Sequence, residues 1–252
     1  MIYTNIIQIT NISLFIIFVI IYIYFSINNI NNIEYLSNDF SYKVYYINLL
    51  DRTDRNKVIL SELYKCNVSK DNIHRINADK KEIGSYGCLL SHVKTLKKAM
   101  RDNVDYAVIL EDDFIFRKKI NVTDMINDIK DIDWDVCLLS GNTIKLLNKI
   151  KNNLYRVSNS QTTSGYIVKK QYIHKLLHFW KNTIVGEKKG IDYSNMDKSN
   201  CNNSKGCPYT QPADQSWKKL QKKDNWIIIH PTIGYQRKSY SDIEQKIVDY
   251  KV

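Results

Sequence analysis

The stretch "YAVILEDDFIF", residues 106–116, decides how the chain is read. Tyr106 to Leu110 are mostly apolar and read as a buried strand, and they run straight into Glu111, Asp112 and Asp113. Adjacent carboxylates repel, and burying even one is costly unless a cation or hydrogen bonds compensate. Three acids at a strand's carboxyl end make a hard-oxygen site for Mn2+ or Mg2+, ions that commonly bridge protein carboxylates and a diphosphate. The alternative is a strand that simply ends in solvated acids. Alternate residues of an extended segment share a face, so Glu111 and Asp113 are expected on the ligand side, Asp113 nearest the metal.

Upstream, "KVYYINL" (43–49) reads as a first strand and "NIHRINA" (72–78) as a second. Between them "DRTDRNKVILSELYKC" has helical spacing, with Val58, Leu60 and Leu63 as its apolar stripe and Asp51 or Thr53 as cap. Residues 82–103 read as a glycine turn and a helix with Leu89, Leu90, Val93, Leu96 and Met100 on one face. "WDVCLLSG" (134–141) is a further strand, 164–180 a strand running into a helix, and "WIIIHPTIG" (226–234) a last strand. The alternation predicts an α/β domain with a largely parallel sheet, in which ligands bind at the carboxyl ends of the strands. Residues 186–213 are too long for a plain connection and read as an active-site loop or a disordered segment.

With 252 residues, 44% of them hydrophobic, the chain suffices for one domain with a real core. The balance of 37 Lys+Arg against 26 Asp+Glu, a net +11, suits an anionic partner, although the Lys, Asn and Ile content looks like a coding bias. No RNA- or DNA-binding motif accompanies the charge, so no nucleic-acid partner is expected. Five cysteines form no disulfide framework; Cys66, Cys88 and Cys137 lie in apolar contexts and read as core, while Cys201 and Cys207 are spaced to close a local loop. From Ile6 to Ile27 no residue is charged, enough to cross a bilayer core of about 30 Å. Residues 1–27 are therefore expected to be an uncleaved membrane anchor, 28–41 a stem and 42–252 the folded domain. That makes the chain a single-pass membrane protein whose orientation is left open by flanks without a Lys/Arg cluster.

"YYINLLDRTDR" (45–55), "GSYGCLLSHVKTLKKA" (84–99), "AVILEDDFIF" (107–116) and "QRKSYSDI" (236–243) occur in that order. Together this set resembles glycosyltransferase family 25, the group of procollagen and lipooligosaccharide galactosyltransferases. Members also occur in giant DNA viruses, which suits the Asn/Ile/Lys-rich composition. The resemblance implies a GT-A, Rossmann-like fold that binds a UDP-sugar and a divalent ion, usually Mn2+ and otherwise Mg2+. The expected anchor would place it at an ER/Golgi-type or host/viral membrane. Its acidic metal motif falls on Glu111, Asp112 and Asp113, and its asparagine-leucine-arginine signature on Asn48, Leu49, Arg52 and Arg55. Those arginines are expected to contact nucleotide or phosphate, or else to pair with Asp51 or Asp54. Ser91 and His92 match the family's Ser-His pair, and His92 either orients the donor or a carboxylate or is a buried structural histidine.

Inverting transfer needs a carboxylate to take the acceptor hydroxyl's proton. Asp214, where a polar loop enters a helix in "QPADQSWKKL", is the candidate base, with a first-turn acid as the alternative. His230 in "IIIHP" is a candidate third metal ligand. The expected activity is transfer of galactose or glucose from a UDP-sugar to a hydroxyl of a protein or glycan acceptor. Competing expectations are an inactive glycan-binding protein of the same fold and another metal-and-nucleotide enzyme, such as a nucleotidyltransferase.

Overall fold

The computed structural model describes residues 16–26, 40–184, 211–241 and 246–249. The chain divides into two compact units, Met1–Asp39 and Phe40–Val252. In the first, residues 16–26 are helical and expose Phe18, Tyr22, Tyr24 and Phe25. Among the described residues no helix is long and apolar enough to cross a membrane. Eleven helical residues span only about 16 Å against a bilayer core of about 30 Å. The expected transmembrane helix, and the single-pass membrane placement drawn from it, therefore do not stand. An uncharged stretch is a matter of composition and does not by itself make a spanning helix. The expected loop at 186–213 and the Cys201–Cys207 pair fall almost wholly outside the described residues.

The second unit is built on an eight-stranded sheet. Its strands are β1 (Tyr42–Asn48), β2 (Ile73–Asn77), β3 (Tyr106–Glu111), β5 (Val136–Leu138), β6 (Asn142–Lys151), β7 (Leu154–Gln161), β8 (Gly165–Lys169) and β9 (Trp226–Ile229). Across the sheet they run β2-β1-β3-β8-β5-β9-β7-β6. β1 is parallel to both β2 and β3, and β5 to β9. β8, however, is antiparallel to β3 and β5, and β7 to β6 and β9. The sheet is mixed, which corrects the expectation of a mostly parallel GT-A sheet. Short apolar runs carry no direction in their sequence, and β8 enters between two strands of the opposite sense.

Strand alternation sorts the core onto two faces. Tyr45, Ile47, Ala107 and Ile109 face α2 (Gly84–Asp102) and α4 (Lys170–Thr183). Val44, Tyr46, Val108 and Leu110 face α1 (Thr53–Lys65) and α3 (Val122–Ile129). On α1 the buried face is Arg55, Ile59, Glu62 and Leu63, with Val58 and Leu60 only half-buried, and Arg52 rather than Asp51 or Thr53 stands at the N-cap. That rotation carries Arg55 inward. On α2, Leu89, Val93 and Leu96 are buried as expected, but Met100 is exposed.

Two short helices, α5 (Ala213–Ser216) and α6 (Lys218–Gln221), are fastened to the end of β7. Gln221 donates from Nε2 to Ser160 O (3.0 Å) and accepts Ser160 N–H at Oε1 (2.8 Å), while Trp217 Nε1 donates to the same carbonyl (3.1 Å). Trp217 also stacks on Trp180 and meets Trp226 edge-on. The last described strands are short: β10 (Gly234–Gln236) pairs with β4 (Phe114–Phe116), and β11 (Ser239–Ser241) with β12 (Lys246–Val248).

One glycine fixes the wall of the site. A Cβ on Gly87, in the first turns of α2, would lie 2.3 Å from the backbone oxygen of Asp79. Only a residue without a side chain lets the 79–81 segment lie this close to the helix. Gly87→Ala is expected to cost about 1–3 kcal/mol through overpacking against backbone. Denaturant unfolding checks it, and an unchanged midpoint would show that the segment yields freely.

Candidate functional site

β3 ends at Glu111, so Asp112 and Asp113 stand in a turn and the strand alternation does not sort them. The turn is locked behind by Phe114, fully buried between Gly165 and Gly234, where an added Cβ would meet the ring at 2.3 Å and 2.1 Å. All three acids line one cavity of about 650 Å³, together with Leu49, Arg55, Ser91, His92, residues 78–82, Gln236, Tyr240 and Ser241.

Each acid has its own partners. Glu111 Oε1 meets His92 Nε2 at 3.2 Å and accepts the Thr163 hydroxyl at 2.6 Å. Asp112 accepts from Asn48 Nδ2 at 2.7 Å and Arg55 Nη1 at 2.8 Å. Asp113 Oδ2 accepts from Arg55 Nη1 and Gln236 Nε2, both at 3.1 Å, and its carbonyl accepts Arg237 N–H at 2.9 Å. The other oxygen, Asp113 Oδ1, is buried with no hydrogen-bond partner among the described residues.

Arg55 is thus buried against the acids, not extended toward a phosphate. Its Nη2 donates to Ser239 Oγ (2.7 Å) and Tyr240 O (2.6 Å), which ties the end of the chain to the same knot. Arg52 makes the alternative pairing: it holds Asp54 through two bonds of 3.1 Å and does not line the cavity. Asn48 is a buried connector, donating to Asp112 and to Arg52 O while accepting from Arg75 Nη2. Leu49, half-buried, is cavity wall.

The electrostatics follow the burial. Burial first, then the charge of Glu111, pushes the Asp113 carboxyl up to about 7, against the pull of Arg55. Asp112 is also raised by burial, with Arg55 and Asn48 opposing. For Glu111 burial is outweighed by His92 and Thr163, and its carboxyl stays below the ordinary value. The Arg55 guanidinium loses from burial but gains more from Asp113 and Asp112, so its pKa rises.

Ser91 and His92 separate in role. The Ser91 hydroxyl donates to Gly87 O (2.7 Å) and accepts Asp79 N–H (2.8 Å), pinning the cavity wall. His92 is fully buried, its Nδ1 3.0 Å from the Tyr166 hydroxyl, so the ring is aimed at a carboxylate. Asp214 sits in the first turn of α5, outside the cavity lining; its Oδ2 accepts Thr162 N–H (3.2 Å) and Gln215 Nε2 (3.3 Å). Burial raises its carboxyl pKa. Thr162 has φ +79°, a strained conformation for a β-branched residue, and the turn it makes presents Thr163 to Glu111. His230 is not brought to the acids. It is exposed beside Tyr155, after β9, three strands from β3 and hence about 14 Å away across the sheet. Cys66 and Cys137 are core as expected, but Cys88 is half-buried in the cavity wall.

Thr163, Gln236, Ser239 and Tyr240 were not singled out from the sequence. The last three lie within or beside "QRKSYSDI", whose position in the motif order was the available signal; Thr163 had none.

Residues 82–194 match the family model described as Glycosyltransferase family 25 (LPS biosynthesis protein). The span takes in α2, with Ser91 and His92, and the three acids, and it bears out the resemblance read from the motifs. No curated protein matches the chain. Among solved structures, protein A197 from STIV is 10% identical with a TM-score of 0.43, covering 82% of this chain and 93% of its own. A glycosyltransferase involved in the glycosylation of the major capsid of PBCV-1 is 11% identical with a TM-score of 0.40, covering 75% of this chain and 93% of its own.

Removing either arginine should separate the two ion pairs. Arg55→Ala leaves Asp112 and Asp113 buried without their countercharge and is expected to cost about 3–5 kcal/mol of stability. Arg52→Ala breaks an exposed pair and should cost less than about 1 kcal/mol. Urea denaturation of both variants is the measurement, and equal midpoints would show that the buried pairing is not structural.

Proposed function

We propose that this chain, a glycosyltransferase of the family 25 kind, moves galactose or glucose from a UDP-sugar to a hydroxyl of a protein or glycan acceptor, with inversion. The observation that carries the proposal is the cavity at the end of β3, with three carboxylates in its wall and one buried carboxylate oxygen, Asp113 Oδ1, without a partner among the described residues. Hard oxygen donors in that setting fit Mn2+ or Mg2+. Glu111 and Asp113 would hold the ion, which when bound stabilises the charge of the departing diphosphate.

The chain's own residues supply the rest. His92 and Thr163 fix one oxygen of Glu111, so its orientation does not depend on the donor. Arg55 and Gln236 hold Asp113 Oδ2, so Oδ1 would be the oxygen left to hold the ion. With Arg52 and Arg55 engaged, Lys81 on the 79–82 wall supplies positive charge for the diphosphate. Asp214 takes the acceptor hydroxyl's proton, and its burial, by raising the carboxyl pKa, improves it as a base.

The test is UDP release by the purified chain across several UDP-sugars with Mn2+, with and without acceptor. Asp113→Ala should abolish turnover and weaken UDP binding in Mn2+; full wild-type activity in EDTA would overturn the metal assignment. Asp214→Asn should lower kcat by about 10²–10⁴ with donor Kd unchanged. Retained kcat would make Asp214 only the anchor of the Thr162 turn.

A further inference from the structure

We propose that Cys88, His92 and Glu111 form a three-ligand site for a thiophilic divalent cation such as Zn2+ or Co2+. The Cys88 thiol, an imidazole nitrogen of His92 and a carboxylate oxygen of Glu111 all lie within 4.8 Å of one another. Cys88 and His92 are one turn apart on α2 and therefore share a face, while Glu111 comes from the end of β3. Zinc bonds of about 2.0–2.3 Å place ligand atoms roughly 3.5 Å apart, so side-chain rotation has about 1 Å to close.

Three features favour a bound cation. The first is orientation: the Tyr166 hydroxyl lies on His92 Nδ1, so Nε2 faces Glu111. Metal-bound histidines are held in this way through the ring nitrogen that does not ligate. The second is charge. Arg55 sits on Asp112 and Asp113, whereas the side-chain hydrogen bonds to Glu111 come from a histidine and a hydroxyl. The third is access, since all three ligands line the cavity and a fourth position opens into it. Three protein ligands and one open position is the arrangement of reactive zinc sites, not of closed structural ones.

The donor set selects the ion. A thiolate with an imidazole and a carboxylate suits zinc or cobalt, while Mg2+ prefers oxygen alone. On binding, His92 ligates through Nε2 as its neutral Nδ1–H tautomer, with Tyr166 Oη accepting that proton's hydrogen bond. Cys88 gives its thiol proton to solvent as it ligates. Glu111 is shared with the Mn2+ set proposed above, so the two ions exclude one another. Cation binding here does not require that the chain transfer a sugar.

The experiment is titration of the purified full chain with Co2+, followed by absorbance. One equivalent should bind with a thiolate-to-cobalt charge-transfer band in the near ultraviolet. The band should disappear in Cys88→Ser and persist in the Cys201→Ser, Cys207→Ser double variant, with circular dichroism confirming that both remain folded. No band in the wild type, a band undiminished in Cys88→Ser, or one lost in the double variant each overturns the site. A chain that transfers no hexose yet gives the Cys88-dependent band loses only the transferase proposal, and an active transferase without the band loses only this one.

Discussion

The pairing of the Arg55 guanidinium with Asp112 and Asp113 is the interaction on which the rest of the site depends. Three segments distant in sequence meet there: helix α1, the turn after β3, and residues 239–240. Each carboxylate would be costly to bury alone, and so would the guanidinium. Together they hold one another, and the segments that carry them must come along. Arg55 reaches the knot because it shares a helix face with Ile59 and Leu63, whose burial against the sheet sets the rotation of α1. Hydrophobic packing thus places a charge, and the charge then places the acids.

Around that knot the acids divide the labour. Asp112 is saturated by Asn48 and Arg55 and serves as framework. Asp113 is half satisfied, with one buried oxygen that has no partner among the described residues. Glu111 leans the other way, toward His92 and the Thr163 turn, so a single acidic run serves two neighbouring corners of the cavity. The strain at Thr162 fits this picture, because unfavourable backbone persists only where surrounding bonds over-determine it.

Much of this was legible in the sequence. The strands at 42–48, 73–77 and 106–111 and the helices at 53–65 and 84–102 carry clear periodicity or β-branched runs, and the acids stood at a strand end. Strand sense was not legible, because β8 takes its antiparallel place from tertiary packing. The β6–β7 hairpin was overlooked because Lys145, Lys149 and Lys151 interrupt the apolar pattern of an edge strand, where charge discourages further pairing. Strands of three residues such as β4 and β10 are too short to show a period. Within the site, the acids declared themselves by type, but the commitment of Arg55 to them required knowing which side of α1 turns inward.

The union of residues 239–240 with Arg55 also bears on the order in which the molecule is made. Synthesis runs from the amino end, so Arg55, Asp112 and Asp113 leave the ribosome long before Gln236, Ser239 and Tyr240, which complete their bonding. Roughly 130 residues separate Asp113 from Ser241, a delay of about 6–26 s at ordinary rates of translation. Through that interval the nascent chain carries an unsealed acidic turn, and the cavity has no complete wall. A growing polypeptide therefore has no finished cavity until residues 239–240 have been made, a late and well-defined moment of its birth.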